Sequence, residues 1–158
     1  MKYIIFSFIG FCLIQSGYCQ VTYTRDYKNN VMVEVSINNL IKIMELPSST
    51  FKQEILSKGY NTSTIKDDCV DYVKGSTAER TIHSISKCSK YLVNIAWYSL
   101  PNGKSNITKF VDEIEDHYGG YDKDLQTTYY QIKRNNFIYN FYIMRSGQTE
   151  SVFCKKIN

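Results

Sequence analysis

The fold is decided by residues 127–145, which read TTYYQIKRNNFIYNFYIMR. β-Branched and aromatic residues dominate on both sides of Asn135-Asn136, and asparagine pairs favour tight turns. The pattern therefore predicts two antiparallel strands, over residues 127–133 and 137–145. In a strand, alternate residues point to opposite faces of the sheet. One parity is the more apolar and predicts a buried face: Tyr130, Ile132, Phe137, Phe141 and Ile143.

A helix is predicted immediately upstream of this hairpin, from about Ile107 to Tyr118. Ser105 or Asn106 can cap it, and Gly119-Gly120 is interpreted as its stop. Apolar residues at spacings of three and four form a stripe that seeks a sheet: Ile107, Phe110, Ile114 and Tyr118. A last strand is predicted over residues 151–156, after a turn at Ser146-Gly147.

The first half of the chain contains the same kinds of segment. Two short helices are predicted over residues 40–46 and 51–57, separated by Pro47, and either Asn38 or Asn39 can cap the first. The strand-like runs of this half cover residues 31–37, 69–74, 80–86 and 91–99. Gly75 and Pro101-Asn102-Gly103 are typical of turns between them.

The two halves match at a spacing of 59 residues: Phe51-x-x-Glu54-Ile55 corresponds to Phe110-x-x-Glu113-Ile114. A recurrence at this period predicts a duplicated unit, with repeats over about 38–100 and 105–158. The predicted fold class is therefore α+β. Tandem α-β-β-β units form an antiparallel sheet, and the helices pack on one of its faces.

The other face of this sheet, which we term the open face, is rich in tyrosine and amide side chains. Tyrosine offers a large contact area and a hydroxyl group at low cost in side-chain entropy. The open face is therefore a candidate surface for a protein partner, with these binding residues: Tyr98, Tyr129, Gln131, Lys133, Asn140 and Tyr142. The alternative is an ordinary solvated face, since antiparallel sheets often carry tyrosine on their wet side without a partner.

Residues 1–19 read as a cleavable secretory signal peptide. Lys2 provides the basic start, and the apolar run over residues 3–14 is shorter than the roughly 20 residues that a membrane span needs. The small residues Gly17 and Cys19 place the cut before Gln20. A lipoprotein anchored through Cys19 is the less favoured alternative, because the bulky Tyr18 precedes that cysteine. We expect a periplasmic or secreted single domain, residues 20–158, without a transmembrane segment.

Three cysteines remain after the signal peptide. Export favours a disulfide bond, and Cys69 with Cys88 is the preferred pair; the alternative is that all three, Cys154 included, are buried apolar side chains. The formal net charge of the whole chain is only +4, and its cations are scattered among acids, which argues against nucleic-acid binding. No close cysteine or histidine pair suggests a metal site, so no metal or cofactor is expected.

The motifs of common catalytic sites are also missing from the sequence. Its only histidines are His83 and His117. Glu113 and His117 lie four apart on the predicted helix, but the neighbouring acids indicate a solvated helix face. His83 follows the apolar Ile82 in a predicted strand, where neighbouring side chains point to opposite faces, so it is interpreted as a surface or half-buried residue. No catalytic residue is proposed, and a non-enzymatic protein is favoured. Paired carboxylates of a hydrolase, Glu113 or Asp116 among them, stay an alternative.

The helix–Leu-Pro–helix segment, Leu40-Ile41-Lys42-Ile43-Met44-Glu45-Leu46-Pro47 through Gly59-Tyr60, is followed by a sheet and a second unit. This plan resembles that of two-repeat secreted inhibitors such as the β-lactamase inhibitor protein. In size and signal peptide the chain also resembles small periplasmic immunity proteins that neutralise toxins of type VI secretion. Its second unit differs in having one predicted helix instead of two. The resemblance implies an inhibitor or immunity protein whose partner is a toxin or an enzyme. An accessory protein of the envelope is a further alternative, and the oligomeric state stays open.

Overall fold

The computed structural model describes residues 20–26, 29–76, 82–89, 92–98 and 107–157. The helices within these ranges are α1 (Ile37–Glu45), α2 (Ser48–Ser57) and α3 (Thr108–Ile114), and a 3-10 turn (Glu115–His117) follows α3. The strands within them are β1 (Tyr23–Arg25), β2 (Val31–Val33), β3 (Asn61–Lys66), β4 (Cys69–Lys74), β5 (His83–Cys88), β6 (Leu92–Tyr98), β7 (Tyr118–Asp122), β8 (Thr127–Arg134), β9 (Phe137–Ser146) and β10 (Thr149–Ile157).

One antiparallel sheet of eight strands organises the molecule, in the order β3-β4-β5-β6-β10-β9-β8-β7. Strands β1 and β2 form a separate small hairpin. Buried side chains alternate with exposed or half-buried ones in strands such as β10, and those on one face of the sheet pack against the helices. In β9 the four consecutive residues 139–142 are all buried. Phe51 of α2 contacts Tyr72 of β4, and Phe110 of α3 contacts Phe141 of β9. The structure thus confirms the predicted α+β class.

Each half of the sheet is a meander of four strands, and the two halves meet where β6 pairs with β10. Asn94 lies opposite Phe153 at the centre of this junction, flanked by the pairs Val93–Cys154 and Ile95–Val152. Adding 59 to the numbers of Val93 and Ile95 gives Val152 and Cys154. The two flanking pairs are therefore related by the spacing at which the two halves of the sequence match. The edge strands β3 and β7 also carry a bulge each, between Thr62 and Thr64 and between Tyr118 and Gly120. The two halves share their strand order, and duplication of the sequence stays a prediction.

Helix α1 begins one turn earlier than the sequence pattern predicts. Its N-cap is Ser36, whose hydroxyl accepts from the backbone N–H of Asn39, so the predicted caps Asn38 and Asn39 lie inside the helix. At its other end the buried Nζ of Lys87 donates to the carbonyl oxygens of Ile43 and Met44. A cation at the C-terminus of a helix complements the helix dipole. Burial lowers the pKa of Lys87 to about 8.

The helix predicted over residues 107–118 ends earlier than expected. Helix α3 stops at Ile114, and Gly119-Gly120 lies inside strand β7 instead of terminating a helix. Tyr118, which the predicted stripe places in the core, is 69% exposed on this edge strand. The predicted caps Ser105 and Asn106 lie outside the described residues. Strands β1, β3 and β7 have no counterpart in the sequence prediction.

The predicted disulfide bond between Cys69 and Cys88 is present and joins strands β4 and β5 directly across the sheet. Cys154 is a free, fully buried thiol on the helix side of β10. Burial raises the pKa of Cys154, which makes this cysteine an inert core residue. None of the helices in the described ranges has the length and apolar character that crossing a bilayer requires.

Candidate functional site

The open face of the sheet is where the structure places five of the six predicted binding residues. Tyr129, Gln131 and Lys133 alternate along β8, and Asn140 and Tyr142 lie opposite Gln131 and Tyr129 on β9. Tyr98, the sixth, ends strand β6 opposite Thr149, and its side chain lies outside the described residues. The parity of the sequence therefore brings the five together on one side, away from the helices. Their role in binding stays a prediction.

Three aromatic rings form a row across β8, β9 and β10 on this face. The ring centroids of Tyr129 and Tyr142 are 6.1 Å apart, and those of Tyr142 and Phe153 are 5.4 Å apart in an edge-to-face arrangement. Both spacings fall in the range in which aromatic pairs attract each other. Phe153 is absent from the predicted set, although its alternation with the buried Val152 and Cys154 places it on the open face.

A network of side-chain hydrogen bonds on the same face holds this row in place. The amide of Gln131 donates to Asn140 Oδ1 at 3.0 Å, and the hydroxyl of Tyr142 donates to Asp122 Oδ2 at 3.1 Å. Burial raises the pKa of Tyr142, while a hydrogen bond from the side chain of Asn140 lowers it. Four side chains from three strands thus hold one another in place. Because they are already ordered, binding at this face would cost little side-chain entropy.

Asp122 is the acceptor at the end of this network. One of its carboxylate oxygens accepts from the backbone N–H groups of Asp124 and Leu125, at 3.0 and 3.1 Å. These hydrogen bonds, that from Leu125 foremost, lower the pKa of Asp122. No sequence pattern singles out Asp122, because an aspartate followed by Lys-Asp is typical of any polar turn. Only the pairing of β7 with β8 brings it within reach of Tyr142.

The burial of these residues separates supporting side chains from contacting ones. Tyr142 is only 2% exposed and Asn140 9%, so both act chiefly as supports for the face. Tyr129 is half-buried, whereas Gln131 and Lys133 are exposed, and Met144 adds an exposed apolar side chain on the same side of β9. The side chains of this face that solvent reaches most readily are therefore those of Tyr129, Gln131, Lys133 and Met144.

Gly119 and Gly120 make room for the ring of Tyr129. A Cβ atom on Gly119 would lie 2.5 Å from Tyr129 Cε2 and 2.9 Å from Cβ of Gln131, far inside van der Waals contact. Gly120 adopts a φ of +145°, which side chains disfavour. The prediction of a helix stop at this pair is wrong, because the two glycines lie in β7 and let its backbone approach an aromatic ring.

Substituting Gly119→Ala is expected to lower the free energy of unfolding by about 1–2 kcal/mol, the usual cost of overpacking. Urea denaturation measures this loss. Removing the ring with Tyr129→Ala should relieve the clash, so the double variant should lose less than the sum of the two single variants. Strict additivity of the two losses would contradict the contact between Gly119 and Tyr129.

Two titratable groups on the helix side of the sheet, His83 and Glu113, are engaged in structural contacts. His83, which the sequence placed at or near the surface, is 5% exposed, and its Nε2 lies 3.2 Å from Asp26 Oδ2. Glu113 accepts from the backbone N–H of Ile37 at the start of α1. Among the described residues, no group of three or more histidine, cysteine or acidic side chains is arranged to hold a metal ion.

Comparison of the chain with protein-family models, with curated proteins and with solved structures gives no significant match.

Proposed function

We propose that this is an exported, non-enzymatic protein that holds a protein partner on the open face of its sheet. An inhibitor or immunity protein that neutralises a toxin or enzyme in the periplasm fits this description. The observation that carries the proposal is the aromatic row Tyr129–Tyr142–Phe153 with the network that fixes it. Rigid aromatic side chains are the commonest anchors of protein interfaces.

The edges of the sheet are less suited to a partner than its face. An exposed edge strand can capture another strand through its free backbone groups, and β-bulges are a common protection against this. Both edge strands, β3 and β7, carry such a bulge. Pairing with an additional strand is thus disfavoured on both sides, and the side chains of the open face are left as the recognition surface.

Three carboxylates of the described residues have partners within the fold. Asp26 holds His83, Glu113 caps the backbone of α1, and Asp122 accepts from Tyr142 and from two backbone N–H groups. The engagement of Glu113, one of the two acids considered for a hydrolase, supports binding over catalysis. The Cys69–Cys88 bond is compatible with an oxidising compartment outside the cytoplasm.

Site-specific photo-crosslinking tests this function in periplasmic extract. A benzophenone amino acid is introduced in place of Tyr129 and, as a matched control, in place of Leu56, an exposed residue of α2 on the helix side. We expect one stoichiometric crosslinked protein from the position of Tyr129 and none from that of Leu56. Crosslinks that arise equally from both positions, or only from Leu56, would contradict the proposed surface.

A further inference from the structure

Two exposed lysines stand on either side of strand β9 on the open face. Lys133 of β8 lies opposite Ile138, and Lys155 of β10 lies opposite Asn140. Two inter-strand spacings and an offset of two residues separate their Cα atoms by about 12 Å. Lysine side chains have long, flexible stems. Their two ammonium groups can therefore meet over β9 on a single anionic group.

Asp122 is a carboxylate on the same half of the open face, and it already has partners within this protein. Asp122 accepts three hydrogen bonds from within this protein, and it lies near the opposite end of the strands, beside Thr127. The charge of Lys155 contributes to the lowered pKa of Asp122, but it is the smallest of the favourable influences. At the Lys133 end, the charge that the face presents to a partner is positive.

We infer that an acidic side chain on a loop of the partner protein docks between Lys133 and Lys155, with the apolar part of that loop against Tyr129. This inference rests on the proposed function and adds the chemistry of the partner. Complementary charge at the rim of an interface accelerates association and selects partners. Two cations suit one or two carboxylates of a loop, whereas a nucleic acid requires a longer basic track.

The experiment uses a phage-displayed library of disulfide-constrained peptide loops as the probe, selected on the chain lacking residues 1–19. The matched variants are Lys133→Glu, Lys155→Glu and Lys52→Glu. Each makes the same change of charge, and Lys52 is an exposed residue of α2 on the helix side. We expect the selected loops to be rich in Asp and Glu. Their affinity should fall about tenfold in each face variant, mainly through slower association, and stay unchanged in Lys52→Glu.

Raised salt should shrink the difference between the face variants and the parent chain, because exposed charges are screened. Loops that bind the open face, as shown by their loss of affinity for Tyr129→Ala, but are not acidic or tolerate both face variants would overturn the inference and leave the proposed function standing. Loops that ignore Tyr129→Ala would overturn both. Equally tight binding of linear poly-glutamate would also overturn the inference, because it would show general attraction to anions.

Discussion

Replacing Asn39 by leucine is expected to lower the free energy of unfolding by about 3 kcal/mol, although the two side chains are similar in volume. Asn39 is 1% exposed on α1. Its Nδ2 donates to the carbonyl oxygens of Thr22 and Glu34, at 2.9 and 2.7 Å, and its Oδ1 accepts from the N–H of Thr22 at 2.8 Å. Leucine would leave the N–H of Thr22 and the carbonyl of Glu34, which now make part-buried hydrogen bonds, without these partners. A group orphaned in this way costs about 1–3 kcal/mol when it is shielded from water.

Two further variants test this explanation by urea denaturation. Asn38→Leu changes the neighbouring, exposed asparagine, whose Oδ1 accepts from Arg134, and should cost well under half as much. Asn39→Asp keeps the acceptor for Thr22 but places a carboxylate against two carbonyl oxygens. The pKa of that carboxyl should be raised in the folded state, so the variant should be most stable below its unfolded pKa and lose stability as the pH rises. Equal losses in Asn38→Leu and Asn39→Leu would contradict the role of Asn39.

Much of the sheet follows from local pattern alone. Strands β4, β6, β8, β9 and β10 are rich in β-branched and aromatic residues, and their alternation predicts both their existence and the face that each side chain takes. Strand β3 escapes this reasoning because all six of its residues are exposed, so no apolar period marks it. Strand β7 was not predicted for another reason. Its Gly119-Gly120 pair matches the sequence of a helix stop, and the need for glycine there becomes clear only from the nearby ring of Tyr129.

The candidate site also contains residues that local sequence predicts and residues that it does not. Tyr129, Gln131, Asn140 and Tyr142 share a face because strand parity is a local property of sequence. Asp122 joins them through the pairing of β7 with β8, and no local signal reports such a pairing. The burial of Tyr142 likewise could not be predicted from local sequence, since it depends on the rings of Tyr129 and Phe153 on the neighbouring strands. His83 was expected at the surface or half-buried because of its position in a strand. Its burial was missed because its partner Asp26 is 57 positions away in the chain.

Removing the disulfide bond, through Cys69→Ala with Cys88→Ala, is expected to lower the free energy of unfolding by about 3 kcal/mol. The bond closes a loop across a sequence separation of 19 residues, and the chain-entropy model gives about this value for such a loop. Urea denaturation measures the loss. Reductant should destabilise the parent chain by a similar amount and leave the double variant unchanged. A response of the variant to reductant would show that another group is responsible.

The effect should also be uneven across the sheet, because the two halves are held together differently. The β3–β4 ribbon buries one side chain fully, Tyr72, and depends on the bond to β5, whereas β8 and β9 pair around the buried Tyr139, Phe141 and Tyr142 without a disulfide bond. Local opening follows the lack of buried contacts. Hydrogen exchange in the double variant should therefore accelerate most in β3 and β4 and least in β8 and β9. Uniform acceleration would show instead that removing the bond lowers the stability of the whole fold without loosening the β3–β4 edge in particular. In that case the open face around Tyr129 would lose as much protection as the distant edge.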